Sequence, residues 1–179
     1  MNHAESETVG LIGMGLLGGA IAERLTQAGF TVYGYDVRPE CGGQAASAAD
    51  VAHRARRILL SLPNSDIGAA VLDEIAPHLA AGALVIDTTT GDPERIAGFG
   101  EALAVRGVRY LDATVGGSSK LVREGAAIVM VGGAPGAFEQ CRDLFDSFTG
   151  RAFHVGPCGS GARMKLVFNL VLGLHRAVL

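Results

Sequence analysis

Lys165 and Asn169 stand four residues apart in "GSGARMKLVFNLVLGLHRAVL", an otherwise apolar run of helical character. Positions i and i+4 share one helix face, so an ammonium and an amide project from the same side of this segment. In a cleft, the lysine can carry a proton while the amide orients the same substrate. The pair also reads as a lysine snorkelling from an apolar surface beside a satisfied asparagine. Spacing alone leaves both readings open.

A second constellation opens "GLIGMGLLGGAIAERL", where Gly13, Gly15 and Gly18 form G-x-G-x-x-G between a strand pattern and a helix pattern. Gly13 permits a sharp turn, Gly15 removes the Cβ that would block a pyrophosphate, and Gly18 lets helix and strand approach. With Met14, Leu16 and Leu17 between them, these glycines deliver the free N–H groups and partial positive charge of a helix N-terminus to a phosphate. Asp36 ends the next strand, 18 residues beyond Gly18. An acid there accepts hydrogen bonds from adenosine ribose hydroxyls and repels a 2′-phosphate, which prefers NAD as cofactor. Arg38 weakens that preference and leaves NADP possible. A simple turn acid is the alternative reading of Asp36.

The third group is Gly116, Gly117, Ser118 and Ser119 in "LDATVGGSSKLVREG", just past a strand's carboxyl end. Successive N–H groups and a hydroxyl there suit a small carboxylate. An ordinary βα loop fits the same residues equally well.

The elements that must hold these groups alternate along the chain. "TVGLIG", "TVYGYD", "RILLSLP", "ALVIDTT", "VRYLDAT" and "AAIVMVGG" read as strands, being short, branched and bounded by Gly, Pro or Asp. Helical spacing separates them in "LLGGAIAERLTQAG", which stops at Gly29, and in "DIGAAVLDEIAPHLAAG", "PERIAGFGEALAVRG" and "PGAFEQCRDLFDSF". Such alternation predicts an α/β fold, a doubly wound, mainly parallel sheet with helices on both faces. A long helix begins near residue 160, giving a dinucleotide-binding domain over 1–160 and the start of an interdomain helix over 161–179.

The 179 residues, 49% of them hydrophobic, fill one well-buried domain, and a net charge of −3 gives no reason to expect nucleic acid or an anionic membrane as partner. Arg54, Arg56 and Arg57 read as the solvated end of a helix. Cys41, Cys141 and Cys158 are widely spaced and odd in number, which points to a reducing, cytoplasmic setting, and no Cys/His spacing suggests a metal. His53, His78, His154 and His175 read as structural or surface residues. The opening "MNHAESETVG" has no apolar stretch of the kind a secretory leader carries, and no run is long enough to span a membrane.

Taken together, these motifs resemble the β-hydroxyacid dehydrogenase family, which includes 3-hydroxyisobutyrate dehydrogenase and tartronate semialdehyde reductase and is related to 6-phosphogluconate dehydrogenase. The resemblance covers nearly the whole chain from Thr8. Beyond the glycine loop it rests on "SLPNSDIGAAVL", with Leu62 and Pro63 of a Leu-Pro segment, and "VIDTTTGDP", with Thr89 and Thr90 in a Ser-Thr position. Both loops line the cofactor in such relatives. "DATVGGSS" resembles the substrate motif Asp-Ala-Pro-Val-Ser-Gly-Gly, and "GPCGSGARMKLVFN" resembles Gly-x-x-Gly-x-Gly-x-x-x-Lys-x-x-Asn-Asn. The resemblance implies a Rossmann domain, Lys165 as catalytic acid/base, Asn169 on the substrate, and hydride exchange between a small 3-hydroxy acid and NAD(P).

The departures also carry expectations. Gly116 stands where the motif has serine, Ser118 where it has its last glycine, and Phe168 where it has the first asparagine. Between Asp36 and Val51 the chain lacks the length for one helix and a short strand beside the adenine site. The family continues through the long helix into an all-helical domain that completes the site and builds the dimer, so this chain reads as truncated. The apolar side of its last helix then offers a surface for a homo-oligomer. Two rivals remain: a cofactor-binding module without catalysis, and an imine reductase, a relative that usually lacks the lysine.

Overall fold

The computed structural model describes residues 7–178, so part of the polar opening segment lies outside the described residues. Seven strands form one sheet in the order β2-β1-β3-β4-β5-β6-β7. They are β1 (Thr8–Ile12), β2 (Thr31–Tyr35), β3 (Arg57–Leu60), β4 (Leu84–Asp87), β5 (Arg109–Gly116), β6 (Ile128–Gly132) and β7 (Arg151–Gly156). All neighbours pair in parallel except β5 and β6, which are antiparallel. The doubly wound α/β expectation therefore holds, with the chain reversing direction of growth between β1 and β3.

The helices are α1 (Leu16–Gln27), α2 (Ala48–Arg54), α3 (Ser65–Ile75), α4 (Pro93–Ala104), α5 (Ser119–Arg123), α6 (Pro135–Glu139), α7 (Arg142–Phe148) and α8 (Ser160–Val178). α1 ends as its sequence predicts: Gly29 adopts φ +96°, a left-handed conformation open to glycine without steric cost, and its N–H donates to the Thr26 carbonyl. Two apolar cores flank the sheet. One packs Leu11, Ile21, Leu25 and Val129 with Phe138, Phe145 and Phe148; the other packs Ile58, Leu60, Leu72, Ile75, Val85 and Ile96. Alternate side chains of β1, β3 and β4 enter opposite cores, which is why these central strands read as continuous apolar runs.

Several local expectations are corrected. "RAFHVG" forms the edge strand β7, whose largely exposed or half-buried residues give no apolar signal. "PGAFEQCRDLFDSF" divides into α6 and α7, because the chain turns at Gln140 and Cys141 to drive Phe138, Phe145 and Phe148 into one core. The stretch after Asp36 is short but still forms a 3₁₀ turn at Pro39–Cys41 and the helix α2, whose Ser47 N-cap accepts from the Asp50 N–H. Arg57 is not at a solvated helix end: it opens β3 with a side chain only 12% exposed, bridges Glu7 and Asp143, and lies over the Phe30 ring.

Candidate functional site

The glycine loop joins β1 to α1 with little room to spare. A Cβ on Gly13 would strike the Ser61 carbonyl oxygen, and one on Gly18 would strike the carbonyl oxygen of Gly13 itself. Gly13 also has φ +90°. Helix α1 starts at the N-cap Gly15 with no side-chain cap and no acid in its first turn. Its first N–H groups and the positive end of its dipole therefore remain available to an anion. This is a cradle for phosphate, and a dinucleotide fits it.

A pocket of about 640 Å³ opens over this loop. Of the residues expected on the cofactor, Gly13, Gly15, Leu16, Leu17, Asp36, Leu62, Pro63 and Thr90 line it. Leu16 and Val37, each about four-fifths exposed at 83% and 80%, form an apolar rim suited to a flat ring system. Gly18 is buried beneath the loop, and the Met14 side chain turns away to pack on Gly34. Thr89 is buried, and its hydroxyl accepts from the Leu62 N–H, tying the Leu62–Pro63 loop to the end of β4. Ser61, Val37, Arg38, Ile67, Val71, Glu74 and Thr88 also line the pocket. Ser61, Ile67, Val71 and Thr88 fall within the two motif segments and Arg38 stands close to Asp36, whereas Val37 and Glu74 carried no signal in the sequence.

Asp36 is already engaged by the protein. Its Oδ2 accepts from the Met14 N–H at 2.8 Å, and its Oδ1 accepts from the Arg38 N–H at 2.9 Å and Arg38 Nε at 3.1 Å. Burial alone raises the carboxyl, but the Arg38 guanidinium and the two N–H donors outweigh it and hold the group below the usual carboxylate range. The guanidinium extends over the glycine loop, with Nη2 placed 3.0 Å from where a Gly15 Cβ would stand. The Asp36 end of the pocket thus presents a carboxylate already ion-paired with the Arg38 guanidinium.

The second half of the site lies along β5. Asp112, fully buried, accepts from the Gly159 and Ala162 N–H groups at 2.8 Å each and so caps the start of α8. Burial pushes its carboxyl up, while these backbone donors pull the other way. The Thr114 hydroxyl donates to the Gly161 carbonyl at 2.9 Å, fastening the same turn. One turn farther on, Lys165 Nζ donates to the Val115 carbonyl at 2.7 Å and lies 5.1 Å from the Phe168 ring centroid. Burial lowers the Lys165 ammonium from the ordinary lysine value.

Gly116 ends β5 and is buried, with no room for a side chain: its Cβ would lie 2.8 Å from Ile128 Cγ1 and 3.4 Å from Phe168 Cζ. Gly117 follows with φ +139°, and Ser118 is the N-cap of α5, its hydroxyl accepting from the Leu121 N–H at 3.4 Å. Both are exposed, as is Asn169 one helical turn beyond Lys165. Lys165 and the Gly116–Ser118 loop therefore meet at the carboxyl edge, with β5 beside the β4 end that carries Thr88 and Thr90. Ligands of open α/β sheets bind along such an edge. Among the described residues no group of three His, Cys, Asp or Glu side chains could hold a metal ion.

This loop and edge mark the chain as a dinucleotide-binding α/β domain. Residues 8–156 match the family model of the NAD binding domain of 6-phosphogluconate dehydrogenase, and the chain belongs to that family. It is 30% identical to L-threonate dehydrogenase of Cupriavidus necator over 96% of this chain and 62% of that protein. It is 32% identical to mitochondrial 3-hydroxyisobutyrate dehydrogenase of Rattus norvegicus over 96% of this chain and 54% of that one. Among solved structures, 3-hydroxyisobutyrate dehydrogenase of Mycobacterium tuberculosis with L-serine superposes with a TM-score of 0.93 at 23% identity, over 97% of this chain and 62% of that one. The resemblance to the β-hydroxyacid dehydrogenases thus holds, and the chain spans between about half and three-fifths of the length of these relatives.

Proposed function

We propose that this chain is the cofactor- and lysine-bearing part of an NAD(P)-dependent hydroxyacid dehydrogenase that interconverts a small 3-hydroxy acid and its semialdehyde. The observation that carries the reading is the placement of Lys165: half-buried, on the Val115 carbonyl, at the carboxyl edge of the sheet whose β1 and β4 ends line the cofactor pocket. When bound, the nicotinamide supplies the carbon that accepts or donates hydride. In oxidation Lys165 Nζ takes the hydroxyl proton of the substrate, and in reduction an N–H of the same group protonates the carbonyl oxygen. Burial moves the ammonium in the direction a group needs to exchange protons near neutral pH. The Val115 carbonyl orients the charged form between encounters.

In this reading Gly117 and Ser118 receive the substrate carboxylate, and Asn169 orients it. Gly116 contributes only its backbone. The N–H groups that open α1 receive the pyrophosphate, and Asp36 takes the ribose hydroxyls, which favours NAD; Arg38 admits NADP as well. A cytoplasmic setting suits the free thiols of Cys141 and Cys158, each pushed up to about 12 by burial and thereby kept unreactive.

The second reading, a cofactor-binding module without turnover, draws on the openness of the lysine cleft. Asn169 is exposed, and Leu166, Val167, Leu170 and Val171 on the same helix are each more than half exposed, at 51% to 62%. We propose that residues 161–179 lead into the helical cover that such clefts use to exclude water. NADH consumption by the purified chain across a panel of short semialdehyde acids separates the readings. Turnover that disappears in Lys165→Ala, with NADH binding retained, is the expected result. A silent chain that still binds NADH is the module; a Lys165→Ala variant as fast as its parent removes Lys165 from the chemistry.

A further inference from the structure

Lys165 and Phe168 lie three residues apart on α8 and meet across one turn. The ring also closes on β5, since Gly116 pairs with Ile128 across the antiparallel β5–β6 ladder and any side chain there would meet both Ile128 and the tip of Phe168. Away from the lysine, Phe168 lines the apolar groove that α8 forms with β6 and β7, among Ile128, Met130, Phe153 and Val171. The ring is thus held by the groove, by β5 and by its own helix. The lysine Nζ lies between the ring and the strand end, 5.1 Å from the ring centroid and 2.7 Å from the Val115 carbonyl.

We propose that Phe168 is a positioning residue for Lys165: the ring, set against the end of β5, confines the lysine so that Nζ stays on the Val115 carbonyl at the cleft edge. This rests on the reading of Lys165 as the proton carrier. A ring face attracts a cation and a carbonyl accepts from it, so both contacts orient the charged form, while the apolar cover limits the water that reaches it.

Lys120 and Lys165 are the two lysines of this chain. Protein labelled with 13C,15N-lysine therefore gives two side-chain signals in an NMR pH titration, and Lys120, 82% exposed, serves as the internal reference. Phe168→Asn removes the ring's attraction for the cation but also admits water to the ammonium, and because burial is what lowers Lys165 the relief of burial is expected to win and raise its midpoint, with Lys120 unmoved; Phe168→Tyr, which keeps the ring, leaves both in place. Phe168→Ala, expected to behave as Phe168→Asn, is the second variant should the first fail to fold, with NADH binding as the check on the remainder of the domain. A Lys165 midpoint unchanged in the folded Asn or Ala variant overturns the positioning role. The titration needs no turnover, so a midpoint that moves in a chain without activity upholds the placement and refutes only the catalytic reading.

Discussion

The cofactor loop and the lysine cleft occupy one carboxyl edge of the same sheet, yet the first is made of backbone and the second of side chains. At the cofactor end, Gly13, Gly15 and Gly18 act through atoms they lack, and the partners that set the loop are the Ser61 and Gly13 carbonyls and the Asp36 carboxylate. At the lysine end, Asp112, Thr114, Lys165 and Phe168 each reach across to another element or a neighbouring turn, with sequence separations of 47 and 50 residues for the bonds that join β5 to α8. The first end is closed and preformed; the second is open, with Asn169 and Ser118 exposed. A preformed anion cradle can bind without help, whereas acid/base chemistry depends on how well water is excluded around one ammonium.

The largest expected effect breaks the cofactor end alone. Gly18→Ala drives a methyl group into the Gly13 carbonyl, and the loop must open to relieve it, at a cost of about 3 kcal/mol or more. Thermal melting should drop and NADH fluorescence binding should vanish, while Lys165 keeps its NMR titration if the variant folds. Preserved NADH binding would show that the loop tolerates a Cβ and that the cradle is looser than described.

Breaking the lysine end calls for Asp112→Ala, which leaves the buried Gly159 and Ala162 N–H groups without their acceptor, a loss of about 3 kcal/mol. Hydrogen exchange should quicken in the first turns of α8 and leave α1 protected. Equal quickening in both helices would mean that the two ends are not energetically separate.

Arg38→Ala sharpens the cofactor end. Loss of the guanidinium beside Asp36 should weaken NADPH binding roughly tenfold more than NADH binding, about the worth of one charge-assisted hydrogen bond. A ratio that does not change would place Arg38 outside cofactor selection.

The smallest effect is a pH dependence. Asp36 has a depressed value in the folded chain, so its stabilisation is complete above the ordinary carboxylate value of about 3.9 and is lost as pH falls through the depressed one. The Met14 N–H, which donates to it, should lose exchange protection over that acid window in the parent and show no such step in Asp36→Asn.

Much of the cofactor end was legible because its determinants are contiguous: a strand pattern, three glycines at fixed offsets, a helix pattern and an acid at the next strand end. The same locality made α1 and its stop at Gly29 readable. Thr89 shows where such reading falls short, since its motif position matches a cofactor loop but its hydroxyl turns inward to hold Leu62. β7 escaped because an edge strand half open to solvent carries no periodic apolar signal, and the break between α6 and α7 escaped because both halves share one apolar face aimed at the same phenylalanine core.

By itself the sequence determined the α/β alternation, the anion cradle and the presence of a lysine and an amide on one helix face, because each follows from residue type and short-range periodicity. Tertiary structure alone decided that Asp36 is ion-paired with Arg38, that Asp112 caps α8, and that the Phe168 ring lies beside the Lys165 ammonium. Those outcomes turn on which side chains from distant segments fill the same few ångströms, and steric exclusion between such segments is written in no local pattern.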